Sequence, residues 1–506
     1  MRLPKLPNQI RHNKIHTIAF RGLNLTNATQ DGEFSDTLGL STTDYPYLTQ
    51  IVRRDVQAGY TAPTDVYVWD GHLYVVDGTD LKKDGTVIGT VTAGQKQMAV
   101  INTKLVIYPD KVYVDMTDDT MHSIVTKSET YSSYAITDHS ITATGIASAF
   151  ADGDVVDVTG TGIEGKRIVV MEIDADTDTI TFVDGAITLG TYSGDLSVKT
   201  STPELDFICS SNNRIWGVCN DDNTVYASAL GDPTAFFDYT GESGAYSLAI
   251  GSEGDFTGIC NYGGGVLVWK ENILHKILGN YPSEYYMIDY PVYGVQKGSE
   301  KSVVVINNVL FYKGVYGVYQ YGGNTPQNIS ANLGNDIYKN AVAGTDGRKY
   351  YVNMQDAAGN YHLYAYDLLH GLWMKEEDGQ MPAITNLDQD LYMVKGGALY
   401  KTGASVDPAL EWTGEFVETT EDTFSRKGYL KTLVRLDMTT GSSLKIYAKE
   451  DRRAYREVFA KDAGSEVTLL VPIRLGRCDR WQLKFEGVGE VTIRAIGREY
   501  VGGSEK

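Results

Sequence analysis

An apolar run, a short Asn/Asp/Gly turn and a second apolar run recur along this chain, and that recurrence limits its folds more than any other feature. Residues 66–69 (VYVW) and 73–76 (LYVV) flank Asp70-Gly71, and 98–101 (MAVI) and 105–108 (LVIY) flank Asn102-Thr103. Residues 207–209 and 215–218 flank Asn212-Asn213, and 303–306 (VVVI) and 309–312 (VLFY) flank Asn307-Asn308. Further runs at 266–269, 350–352 and 391–394 follow glycine- or aspartate-containing turns. Turn centres at 71, 102, 212, 264, 307, 347 and 388 make the last four intervals 52, 43, 40 and 41 residues. A four-stranded propeller blade takes roughly 40–50 residues. Runs apolar at consecutive positions suit strands covered on both faces by neighbouring sheets. Composition points the same way. The 35 tyrosines pack well on pleated surfaces, and the 53 glycines supply positive φ for tight turns.

The long interval between the second and third turns implies an insertion over 117–202. Within it, 154–159 (DVVDVT), 167–173 (RIVVMEI) and 179–183 (TITFV) alternate like half-buried strands. From about residue 406 the alternation becomes clean, with Leu444, Ile446 and Ala448, then Trp481, Leu483 and Phe485, then Val491 and Ile493. The expected architecture is all-β: a six- or seven-bladed β-propeller over 61–116 and 203–405, an inserted small β-barrel or sandwich over 117–202, and a C-terminal β-sandwich over 406–506. Residues 1–60 are expected to be an arm able to donate a strand that closes the ring. No apolar stretch of about 18 residues occurs, so no membrane span is expected. The basic N-terminus lacks the apolar segment of a secretory signal.

Lysine and arginine total 45 against 65 aspartate and glutamate, a net charge of −20. That balance argues against gripping nucleic acid over a wide surface, which needs clustered cations. It leaves room for a surface that nucleic acid slides past, since an acidic lining repels phosphates. Cys209, Cys219, Cys260 and Cys478 form no CxxC pair and read as small buried residues. Gly160, Gly162 and Gly165 match GxGxxG, but a strand rather than a helix follows, so the motif reads as a glycine-rich turn. Asp174, Asp176 and Asp178 lack the glycine and glutamate of a calcium loop. A hairpin turn explains them equally well, and cation binding stays open. The eight histidines include His362 and His370 across Asp367, but no HExxH, GxSxG or P-loop occurs. No catalytic, metal or cofactor residues are assigned, and no enzyme activity is expected. Arg11, Lys14, Arg53 and Arg54 are the candidate contacts to an acidic partner.

Several segments, in order, resemble the nozzle proteins of short-tailed phages, also known as tail tubular protein B or tail stabilisation proteins. They are 44–54 (DYPYLTQIVRR); Leu230-Gly231-Asp232-Pro233 with Phe236-Phe237-Asp238-Tyr239; 265–279 (GVLVWKENILHKILG); 292–322 with Gly294, Ser302 and Gly317; and 361–373 (YHLYAYDLLHGLW). The insertion resembles a β-barrel module recurrent in virion proteins. The Arg53-Arg54 pair and the C-terminal region depart from the family pattern. The resemblance implies a structural virion protein of the tail, made in the host cytoplasm. It implies a homo-oligomeric ring, commonly a hexamer, below the portal and adaptor. Such a ring extends the DNA channel and helps retain and eject the genome, with adaptor, other tail proteins and sliding double-stranded DNA as partners. Two alternatives are a glycan-binding or glycan-cleaving propeller, and a propeller interaction scaffold. Trp69-Asp70 occurs once and no Kelch or WD consensus repeats, which ranks the scaffold last.

Overall fold

The structure is a computed structural model describing residues 12–417 and 426–502, and the chain forms two compact units, Met1–Gly78 with Val295–Lys506, and Thr79–Gly294. The fold is an all-β propeller in which seven four-stranded antiparallel blade sheets are present among the described residues. The recurrent turns carry the backbone they demand. Asp70, Asn102, Asn212, Asn213, Asn307, Asn308 and Asp388 all have positive φ, which Asn and Asp tolerate better than other side chains.

In the Thr79–Gly294 unit, the second blade is Gln97–Ile101, Lys104–Tyr108, Val112–Asp115 and Thr120–Ser123, so its fourth strand reaches into the region assigned above to the insertion. The third blade is Phe207–Ser211, Arg214–Cys219, Thr224–Ala227 and Tyr246–Ala249. The fourth is Gly258–Tyr262, Gly265–Lys270, Ile273–Leu278 and Tyr286–Tyr290. Every residue of Arg214–Cys219 is buried, and its side chains divide between two cores. Ile215 and Cys219 pack with Ala99, Ile101 and Val106 of the second blade. Trp216 and Val218 pack with Val266 and Val268 of the fourth. Cover on both faces explains why the apolar runs are continuous rather than alternating.

The other unit holds the fifth blade (Val304–Ile306, Val309–Gly314, Gly317–Tyr321 and Gln327–Asn328), the sixth (Lys339–Thr345, Lys349–Gln355, Tyr361–Asp367 and Leu372–Asp378) and the seventh. Tyr350, Val352 and Met354 of Lys349–Gln355 face Phe311 and Val318 of the fifth blade, whereas Tyr351 faces Leu391 and Met393 of the seventh. The seventh blade takes Ala383–Leu387, Asp390–Lys395 and Ala398–Thr402 from one end of the chain and Arg54–Val56 from the other. Its register pairs Tyr400 with Val56, Lys401 with Asp55, and Thr402 with Arg54. Val66 of Pro63–Trp69 and Leu73 and Val75 of His72–Asp77, two paired strands of the first blade, complete a core with Ala383, Tyr392 and Val394.

The segment expected to be an arm is mostly built into the C-terminal sheets. His12–Thr17 pairs with Val491–Gly502, and Glu33–Leu38 with Glu411–Val417. These strands belong to two sheets, of five and six strands, whose inner faces share one core around Phe34, Phe416, Trp412, Trp481, Val434 and Leu444. The insertion has a three-stranded and a four-stranded sheet around Ile141, Val156, Val158, Ile180, Leu196 and Val198. Its glycine motif is not a turn. Gly160, Gly162 and Gly165 lie within the strand Val155–Val169; the register shifts between Gly160 and Ile163, and there a Cβ on Gly162 would collide with the Thr191 carbonyl. Among the described residues, no helix is long and apolar enough to cross a membrane.

Candidate functional site

Among the described residues, buried charges gather where Arg54–Val56, an edge strand of the seventh blade, meets the sixth. In the sixth, Leu363 pairs with Glu377 and Tyr364 with Lys375, leaving Glu376 as the extra residue of a β-bulge. The bulge sends Glu376 and Glu377 to the same cation. Arg54 donates from Nη2 to Glu376 (3.0 Å), from Nε to Glu377 (3.0 Å) and from Nη1 to Thr402 Oγ1 (3.1 Å). Lys349 Nζ donates to Ser41 Oγ (2.7 Å) and lies 3.5 Å from Glu376, while Lys395 Nζ donates to Glu377 (2.9 Å). Tyr351 donates to Asp346 (2.9 Å) at the wall of an adjoining cavity of about 200 Å³.

Burial, the largest influence on both carboxyls, pushes Glu376 above its ordinary pKa against the pull of Lys349 and Arg54. On Glu377 the same push is overcome by Arg54 and Lys395, which hold it below its ordinary value. Burial also favours loss of the Arg54 proton, yet the two glutamates outweigh it and raise the Arg54 pKa. Splitting two carboxyls in this way is how acid–base pairs arise. Here each carboxylate is occupied by two cations, so the arrangement ties three chain segments together rather than presenting a proton donor to a substrate.

The four sequence-predicted contact residues are placed differently from one another. Arg11 lies outside the described residues. Lys14 is exposed, 3.7 Å from Glu499 across the strand pair. Arg53 is half-exposed, 3.0 Å from Asp55. Arg54 is the correction. Its side chain is only 10% exposed and its guanidinium is engaged internally, so it does not offer a free cation to a partner. The sequence gives no local sign of this, because its partners lie 322 and 323 residues away.

Asp174 accepts the backbone N–H groups of Asp176 and Thr177 in a hairpin turn, and Asp178 accepts that of Gly145. Among the described residues, no three His, Cys, Asp or Glu side chains are grouped to hold a metal ion. All four cysteines are free thiols, and burial pushes the Cys209 and Cys260 thiols far up. His362 is held between Asp378 (2.5 Å) and Asp356 (3.3 Å). His370 pairs with Asp367 (3.1 Å) and stacks on Tyr45 of the N-terminal segment (4.1 Å).

Sequence reasoning missed one chemical constellation. His275 Nε2 lies 2.9 Å from Ser252 Oγ, and its Nδ1 lies 2.6 Å from Asp289. The order matches a serine hydrolase relay, but the exposure is inverted. The imidazole is 1% exposed while Asp289 is 51% exposed. Acyl transfer needs the reverse, a buried orienting acid and an open nucleophile–base pair. The contacts instead tie the Ser252 loop to the fourth blade, where Lys270 Nζ also donates to the Ser252 carbonyl (2.6 Å).

No known protein family and no curated protein matches the chain. Solved structures of WD40 and propeller type do. U3-55K is 8% identical over 70% of this chain and 98% of that one, with a TM-score of 0.35. The N-terminal domain of Nup159 is 8% identical over 76% and 98%, with a TM-score of 0.32. Raptor from Chaetomium thermophilum is 10% identical over 70% and 30%, with a TM-score of 0.32. Likenesses of this strength say nothing of what the chain does.

Proposed function

We propose that the chain is a structural protein of a phage tail, whose copies form a nozzle ring that extends the DNA channel below portal and adaptor. One observation carries the reading: the buried ionic cluster around Arg54 joins the N-terminal segment to two blades and leaves its groups neutralised. Such a cluster braces a scaffold and is poorly suited to chemistry. The motif order shared with nozzle proteins supplies the biological setting, and the charge of −20 suits a channel wall to which phosphates do not adhere. Electron microscopy of the purified chain, alone and with portal–adaptor complexes, tests it. Closed rings that dock on the adaptor are expected; a monomer that ignores the adaptor and cleaves a glycan overturns it.

A second reading, glycan recognition, has one specific observation in its favour. Tyr281, Tyr286 and Tyr293, around the outermost strand of the fourth blade, are 44%, 56% and 47% exposed. Apolar aromatic faces with a polar tip suit sugar rings.

A further inference from the structure

One end of the C-terminal sandwich is an arginine-rich rim. Glu450 and Asp451 gather its loops. Glu450 accepts from Arg456 Nη2 (2.9 Å), Arg453 Nη1 (3.2 Å) and the Gly476 N–H (2.8 Å). Asp451 accepts from Arg426 Nη2 (3.0 Å) and from the N–H groups of Asp479 (2.8 Å) and Arg480 (3.0 Å). These bonds bring 450–456 and 474–480 together and engage Glu450 and Asp451, while the exposed Asp479 lies 3.6 Å from Arg426. Arg452, Arg474 and Arg477 are exposed alongside, with no carboxylate partner among the described residues. Guanidinium forks match carboxylates and phosphates bidentately, so a fixed cluster of them is a recognition surface for anions.

The chain itself holds the complementary surface. Residues 117–202 contain fourteen acidic side chains against four basic ones, whereas 406–506 contain seventeen of each. Asp152, Glu172, Asp174, Asp176 and Asp184 of the insertion are all exposed. Two copies, each with a charge of −20, repel one another at long range, so a contact that matches opposite charges locally is favoured over one that does not. We infer that the arginine rim of one copy docks on the acidic insertion of the next. Such a contact joins two different surfaces, and a contact of that kind closes into a ring when its rotation permits. This deepens the ring reading and rests on it.

The test is sedimentation velocity and electron microscopy of the full chain over a salt series. Replacing Arg452, Arg474 and Arg477 by Glu is expected to weaken assembly roughly a hundred-fold, at about a factor of five per exposed pair. Replacing Asp152, Glu172 and Asp176 by Lys should do the same. Combining both sets in one chain should restore rings, and this also shows that the single sets fold. Wild-type assembly should loosen as salt rises. Wild-type rings that survive both charge reversals overturn the inference and leave the ring reading standing. Reversal at the rim that abolishes duplex DNA binding but spares the ring assigns the rim to phosphates and also overturns it. A wild-type chain that never forms rings, even with the adaptor, removes the ring reading first.

Discussion

Arg54 shows how much one buried charge can decide. Replacing it with Met leaves Glu376 and Glu377 without their shared cation, in a place where burial already disfavours the ionised carboxyl. Breaking a buried pair in this way costs about 3–5 kcal/mol. The sign of the pH dependence follows from Glu377, whose pKa is held below its ordinary 4.5. Its contribution is present above 4.5 and is lost as pH falls through the depressed value. Glu376 runs the other way: with its pKa raised, its ionisation opposes folding as pH rises. The R54M variant should therefore melt well below wild type at neutral pH, and the gap should narrow as acid protonates both glutamates. Calorimetry at a series of pH values checks this; an equal gap at every pH contradicts it. Arg54 reads in the sequence as half of an exposed basic pair with Arg53 because nothing local distinguishes them. Strand pairing at Thr402 turns Arg54 inward and leaves Arg53 half-exposed. His275, with partners 23 and 14 residues away, was hidden for the same reason.

At the scale of elements, what was legible follows from how each strand is covered. Strands buried on both faces, such as Lys104–Tyr108 and Arg214–Cys219, leave continuous apolar runs that announce themselves. Glu33–Leu38 does not. Its sequence, EFSDTL, has few apolar positions, and it finds its partner nearly four hundred residues away in Glu411–Val417. The glycine motif misled differently, because three glycines look like a turn when the partner strand that crowds Gly162 is out of sight. The insertion lends itself to excision. Its entry and exit lie together: Thr126 Oγ1 is 3.2 Å from Thr200 Oγ1, and the Thr200 N–H donates to the Lys127 carbonyl (2.9 Å). Its apolar core is its own, and Arg167, donating to Asp222 and Tyr226 of the third blade, is its polar anchor. Replacing 127–200 with a short glycine-serine link should leave a chain that folds and melts within a few degrees of the parent. The excised segment should keep dispersed amide resonances by itself. An excised chain recovered only as aggregate would show that the blades depend on the insertion.

For the whole molecule, the decisive fact is how far apart in sequence the paired strands lie. His12 pairs with Val501 and Thr17 with Ile496, while Arg54–Val56 closes the seventh blade against Ala398–Thr402. His12–Thr17 therefore has no strand to pair with until Val491–Gly502 has been made. Contacts of such separation are slow to form, because loop closure precedes any gain from them. Val491–Gly502 is the central piece, lying between His12–Thr17 and Lys427–Met438. Its Val491, Ile493 and Ile496 are fully buried in the sandwich core. Ending the chain at Gly489 should strip the N-terminal strand of its partner and open the sandwich. Brief trypsin treatment should then cut after Lys14 and Arg21 at least ten times faster than in the full chain. The fifth to seventh blades, whose cores between neighbouring sheets contain none of the deleted residues, should resist. A truncated chain whose N-terminal segment stays protected would mean that Glu33–Leu38, paired to Glu411–Val417, suffices to hold it. In that case the two ends of the chain are joined through one sheet rather than two.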